Sequence, residues 1–151
     1  RIHAMGAVDK LNSVIGWTRS IAQSSIKDDL EKIQQDLFNL GGELAVSGGD
    51  QELLKKTRLE WLEIESETMN KELPPLKEFI LPGGLELSSR IHIARTECRD
   101  TERTLVALGE VESITDIQRH YLNRLSDYLF ILARKVKNDE GSTEVPWDYN
   151  E

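Results

Sequence analysis

The chain has a single cysteine, Cys98, four prolines, few aromatic residues (6%) and no long apolar run. One thiol cannot build a disulfide scaffold, and it suits a reducing cytosol, so a cytoplasmic location is expected. No stretch approaches the roughly 18 apolar residues that span a bilayer, and no secretory signal is visible. Basic residues are outnumbered by acidic ones, 19 to 27, for a formal charge of −8. Such a field repels nucleic acid and anionic membrane, and neither is an expected partner. Metal spacings are also absent. None of His3, His92 and His120 completes the Glu-x-x-His pair of di-iron bundles.

What remains is a 151-residue chain, 38% hydrophobic and 30% charged, of a size for one domain with its own core. Gly41-Gly42, Ser47-Gly48-Gly49, Pro74-Pro75 and Pro82-Gly83-Gly84 punctuate long segments of helical periodicity. The spacing predicts five helices, near 4–24, 27–46, 51–72, 85–109 and 114–137. In the fourth, Ile91, Ala94, Cys98, Thr101, Leu105 and Leu108 recur in steps of three and four, forming one core stripe. Leu30, Ile33, Leu37, Leu40 and Leu44 form another in the second. Leu122, Leu125, Leu129 and Leu132 do so in the fifth. Asp50 and Ser113 are the expected N-caps of the third and fifth helices. The expected fold is all-α, a five-helix up-and-down bundle over residues 1–137, with a polar, flexible or docking tail over 138–151.

Four constellations could carry chemistry. Arg95, Arg99, Glu102 and Arg103 lie at i, i+4, i+7 and i+8, within about 100° on a helix and beside the core stripe. Their repulsion calls for anions. Phosphate matches the guanidinium fork, although surface pairing with Glu97 and Asp100 would also satisfy it. The restrained segment Leu73–Gly84 can hold Phe79 over a ligand, or Phe79 and Ile80 can plug the end of the bundle. Asn123 and Asp127, one turn apart, can orient a ribose, a phosphate or an arginine, or hydrogen-bond along the helix surface. Asp9 and Asn12 stand near the start of the first helix, where Asp9 can pair with an arginine across an interface, or is favourable as a carboxylate with no special role. His92, at the edge of the stripe, reads as a packed histidine, and Cys98 as a structural thiol.

Taken in order, these segments resemble the PduO-type ATP:cob(I)alamin adenosyltransferases. The matching stretches are Gly6–Asn12, Ile33–Gly41, Leu73–Gly84, Ile91–Arg99 with Glu102-Arg103, and Tyr121–Phe130. The resemblance implies a ferritin-like homotrimer with active sites between subunits. It further implies an enzyme that transfers the adenosyl group of ATP to the cobalt of reduced cobalamin. By the same resemblance, Arg95, Arg99, Glu102, Arg103 and Asn123 correspond to residues that bind ATP or its magnesium, with Glu102 toward the metal. Asp9 corresponds to a residue that pairs with the Arg95 equivalent across the subunit boundary. Phe79 corresponds to the aromatic that crowds the lower face of cobalamin. A cobalamin reductase and an adenosylcobalamin-dependent enzyme are the implied protein partners. The family's glycine- and threonine-rich ATP loop is expected to precede Arg1. Asp100 replaces a family arginine, and Lys10 a family glutamate. Asp100 and the missing loop motivate the alternative, a helical bundle that binds a nucleotide or corrinoid without catalysis.

Overall fold

The computed structural model describes residues 1–46 and 52–151. Five helices are present: α1 (Ile2–Arg19), α2 (Ser24–Ala45), α3 (Lys56–Lys71), α4 (Glu86–Gly109) and α5 (Asp116–Asp139). Among the described residues there is no strand, only an isolated antiparallel bridge between Ile80 and Pro146. None of the helices is long and apolar enough to cross a membrane.

The three leucine-rich stripes form the core. Every residue named in the α2 and α5 stripes is buried, and so are all in α4 except Leu108, which is partly buried. Each fully buried leucine or isoleucine contributes about 1.5–3 kcal/mol relative to exposure. Helix α4 packs between α1 and α5, α2 rests on α1, and α3 lies along α5. Side-chain pairs fix the directions. Thr18 reaches Arg90 and Thr101 reaches Ala7, so α1 and α4 run antiparallel. Arg124 pairs with Glu63 and Lys135 with Glu72, so α3 and α5 run parallel. The direction alternates along the chain as expected for an up-and-down bundle. Adjacency does not follow chain order, because α3 packs on α5 rather than on its successor α4. The connection from α3 to α4 therefore crosses the end of α5, where Arg134 donates to the Pro74 carbonyl at 2.8 Å.

Several boundaries differ from the periodicity for local reasons. Helix α1 ends at Arg19, not near residue 24, because its last carbonyls are captured by side chains. The Ser20 hydroxyl and the Arg90 guanidinium both donate to Trp17 O, at 2.6 and 2.7 Å. Ser47, Gly48, Gly49 and Asp50 lie outside the described residues. Helix α3 starts only at Lys56, with Lys55 at its N-cap position; Leu54 N–H is held by the Glu43 carboxylate at 2.6 Å. The cap of α5 is Thr115, not Ser113. Thr115 Oγ1 accepts from Gln118 N–H at 3.2 Å, and Gln118 Oε1 accepts from Thr115 N–H at 3.1 Å, a reciprocal capping box.

One polar contact crosses the core. Asp36 on α2 is 1% exposed, accepts from the Tyr121 hydroxyl at 2.7 Å and pairs with Arg58 on α3 at 3.0 Å. It ties α2, α3 and α5 together, because a buried carboxylate needs all of these partners at once.

Gly83 and Gly84 enter α4 with φ of 140° and 103°, a region that side chains other than glycine rarely adopt. A Cβ on Gly84 would meet the buried Lys137 side chain at 2.7 Å. Gly84→Ala is therefore expected to lose about 1–2 kcal/mol in urea unfolding. Gly109→Ala, whose added carbon makes an ordinary 3.6 Å contact with Ile114, is expected to stay within about 0.5 kcal/mol of wild type.

Candidate active site

The segment between α3 and α4 is held from two sides. Beneath it are Arg134 and Lys137 of α5, both 5% exposed or less. Beside it runs the C-terminal tail. Leu81 N–H donates to Val145 O at 2.8 Å, and Trp147 N–H donates to Phe79 O at 2.7 Å. Glu144 anchors the tail through Lys137 at 3.2 Å and Arg134 at 3.6 Å. The result is a restrained backbone that presents Phe79 outward at 78% exposure. Phe79 does not plug the bundle. Its ring lies 6.1 Å from that of Trp147, and Trp147 lies 5.4 Å from Tyr149.

Facing this segment on α4 is Arg95. Phe79, His92, Arg95, Phe130 and Trp147 line one groove of about 730 Å³. Arg95 Nε donates to His92 Nδ1 at 3.3 Å, and its guanidinium lies 5.9 Å from the Phe130 ring centre. Burial and the neighbouring Arg99 charge lower its pKa from the usual arginine value. His92 is 4% exposed. Burial, with the charges of Arg95 and Lys137, pushes its pKa down to about 4, so the imidazole is neutral near pH 7.

The other arginines on this helix are placed differently. Arg99 is exposed and forms no ion pair among the described residues. Arg103 pairs with Asp100 at 3.0 Å, with both side chains more than 60% exposed, an ordinary surface contact. Glu97 pairs instead with Lys10 of α1 at 3.2 Å. Glu102 is partly buried and accepts from Asn123 Nδ2 at 3.2 Å. Asn123 Oδ1 accepts from Arg124, which also pairs with Glu63. Asp127 opens onto a second groove of about 790 Å³ between α3, α5 and residues 73–76.

Asp9 lies elsewhere. It is exposed, has no ion-pair partner among the described residues, and lines a third groove of about 430 Å³ with Phe38 and Gly41. That groove shares no residue with the one around Arg95. Asn12, paired with it in the sequence, is structural. Its side chain and that of Gln34 exchange hydrogen bonds with each other's backbone carbonyls at 3.3 Å, joining α1 to α2.

Cys98 is fully buried beside Leu122 O at 3.1 Å, and burial raises its pKa well above the usual thiol value. It is a packing residue. No cluster of three or more histidine, cysteine, aspartate or glutamate side chains able to hold a metal exists among the described residues. Trp147 and Phe130 belong to the Arg95 groove but are not among the expected site residues, although Phe130 closes the matching stretch Tyr121–Phe130. The cue to Trp147 is an aromatic following Pro146 in a mostly polar tail.

Comparison with known proteins gives a consistent picture. The profile of the cobalamin adenosyltransferase family matches residues 1–136. A cobalamin adenosyltransferase of Cupriavidus metallidurans is 46% identical, over 97% of this chain and 80% of its own. A corrinoid adenosyltransferase of Bacillus subtilis is 39% identical over 98% and 80%. Among solved structures, a variant PduO-type adenosyltransferase from Lactobacillus reuteri complexed with ATP superposes with a TM-score of 0.91. It has 36% identity and covers 98% of this chain and 87% of its own. Another variant of that type from the same organism, complexed with cobalamin and ATP, gives 0.89 at 37% identity, covering 95% and 83%. With its five helices in the same arrangement and its sequence matched along nearly its whole length, the chain belongs to the cobalamin adenosyltransferase family.

Proposed function

We propose that this protein transfers the 5′-deoxyadenosyl group of ATP to the cobalt of a reduced corrinoid, giving adenosylcobalamin and triphosphate. The observation that carries this reading is the convergence of Arg95 and Phe79, from separate segments, on one groove. A cation for a polyphosphate and an exposed aromatic for a flat macrocycle are the two recognition elements the reaction requires.

The electron pair of Co(I) forms the Co–C bond, the C5′–O bond breaks, and triphosphate departs with it. No proton is moved, so no general base is needed, and the neutral, buried His92 is not one. Charge builds on the leaving group. Arg95 and the unpaired Arg99 offset it, with Arg103 in reach if its exposed pair with Asp100 opens. Holding cobalt and carbon in line lowers the barrier further. Phe79, held outward on a fixed backbone, occupies the lower corrin face and excludes an axial base, which makes Co(II) easier to reduce.

Glu102 with Asn123 would hold Mg²⁺. One partly buried carboxylate suits an ion that takes most of its ligands from phosphates and water, and no larger acidic cluster is present among the described residues. The ion neutralises triphosphate charge when bound.

The active assembly is a homotrimer in which Asp9 of one subunit meets Arg95 of the next. This is supported by the two residues lining separate grooves of one chain, each without an ion-pair partner among the described residues. Phe38, 76% exposed beside Asp9, supplies apolar surface for the contact. A free, buried Cys98 suits the reducing cytoplasm, where a cobalamin reductase would supply Co(I) and an adenosylcobalamin-dependent enzyme would take the product.

The Asp100–Arg103 pair favours a second reading, a nucleotide- or corrinoid-binding bundle without catalysis, because it neutralises one arginine of the ridge. Reduced cobalamin with MgATP separates the two. The wild type is expected to convert the corrin spectrum to that of the adenosyl form, and an unchanged spectrum would support the binder. In the same assay Arg99→Ala is expected to lose at least about tenfold in rate, and Glu97→Ala much less. Equal losses would remove the phosphate role of Arg99. Phe79→Ala is expected to slow reaction starting from Co(II) more than from Co(I); equal slowing would exclude the lower-face role. Sedimentation is expected to give a particle three times the chain mass, weakened by Asp9→Ala, and a stable monomer would contradict the shared site.

A further inference from the structure

His92 is the one buried titratable group of the groove that the reaction does not use. Its surroundings are unusual for a packing histidine. Nε2 is buried with no hydrogen-bond partner, while Nδ1 takes the Nε–H of Arg95 at 3.3 Å. The ring is braced edge-on by Phe130, with centroids 6.3 Å apart at 63°, and Arg95 lies over that same Phe130 ring. His92 and Arg95 are one helical turn apart, so both sit on the groove side of α4. An apolar side chain of similar size would fill this space without leaving a buried polar nitrogen unsatisfied. The imidazole therefore costs stability, and its single hydrogen bond is directed at a guanidinium.

We propose that His92 is a positioning residue for adenosyl transfer, its Nδ1 holding Arg95 Nε so that the guanidinium is set at the groove with its terminal nitrogens left for ligands. This rests on the reading of the groove as the site of adenosyl transfer. Arginine loses considerable rotamer freedom when it binds a ligand. Fixing Nε in advance removes part of that cost, and the Phe130 ring, 5.9 Å from the guanidinium carbon, supports the group from one side. Neither contact uses the terminal nitrogens, which make no hydrogen bond among the described residues. The arrangement needs a neutral ring, because a protonated imidazole would offer a donor where Arg95 already presents one. Burial against two cations, Arg95 on α4 and Lys137 on α5, keeps it neutral.

Two amides test this with little change of size. Asparagine places its oxygen near the Nδ1 position; glutamine places its amide near Nε2. His92→Leu removes both. With an active wild type, His92→Leu is expected to lower kcat/KM for ATP about tenfold while its melting temperature stays level or rises. His92→Asn is expected to recover to within about threefold of wild type, and His92→Gln to remain with the leucine variant. A merely structural histidine would give activity losses that follow loss of stability and would not separate Asn from Gln. If His92→Leu keeps wild-type kcat/KM, or the two amides behave alike, the positioning role is overturned. If His92→Leu fails to fold, the comparison of the two amides decides alone. A folded wild type that makes no adenosylcobalamin overturns the functional reading, and this proposal with it.

Discussion

Two buried cations near the end of α5 hold the α3–α4 connection and the C-terminal tail in place. Arg134 and Lys137 are almost wholly removed from water, and Glu144 of the tail is the carboxylate shared between them. Two buried charges against one make this a site where desolvation is expensive and each remaining contact counts. Arg134 turns to the Pro74 carbonyl, and Lys137 lies against Gly84, where an added Cβ would press on the lysine side chain. The loop and the tail are thus bound to the same two side chains. Phe79 and Trp147 are fixed relative to each other because their backbones are hydrogen-bonded above that cluster.

The same division of labour runs through α4. Its inner stripe is saturated with apolar contacts and has one buried thiol. Its outer face carries groups without polar partners among the described residues, notably Arg99 and the terminal nitrogens of Arg95. Unpaired cations beside one another raise the energy of the free protein through mutual repulsion. An anionic ligand relieves that repulsion, which is how a binding site stores affinity in a rigid scaffold. Asp9 lies on a different groove and has no ion-pair partner among the described residues.

Much of the fold is legible in the sequence because helical periodicity is a local property. The stripes Leu30–Leu44, Ile91–Leu105 and Leu122–Leu132 are buried where their spacing puts them. The boundaries were less legible. Thr115 rather than Ser113 caps α5, since the reciprocal partner Gln118 also needs Glu43 of α2 within reach. The late start of α3 depends likewise on Glu43 holding Leu54. Of the site, the sequence supplied the arginine ridge and Phe79 as separate candidates. It offered Asp100 as a surface partner for the ridge without singling out Arg103 as the arginine taken up, and it carried no sign that Trp147 lies beside Phe79.

By itself, then, the sequence determined five amphipathic helices, their core stripes, a stiff proline–glycine connection and, through five motifs in order, the family. Only the tertiary structure decided that α3 lies on α5, that the connection crosses the buried ends of Arg134 and Lys137, and that His92 grips Arg95. The reason is physical. Helical periodicity is written within a few residues, whereas which groups share a groove depends on contacts between segments far apart in the chain, and those exist only once the helices have packed.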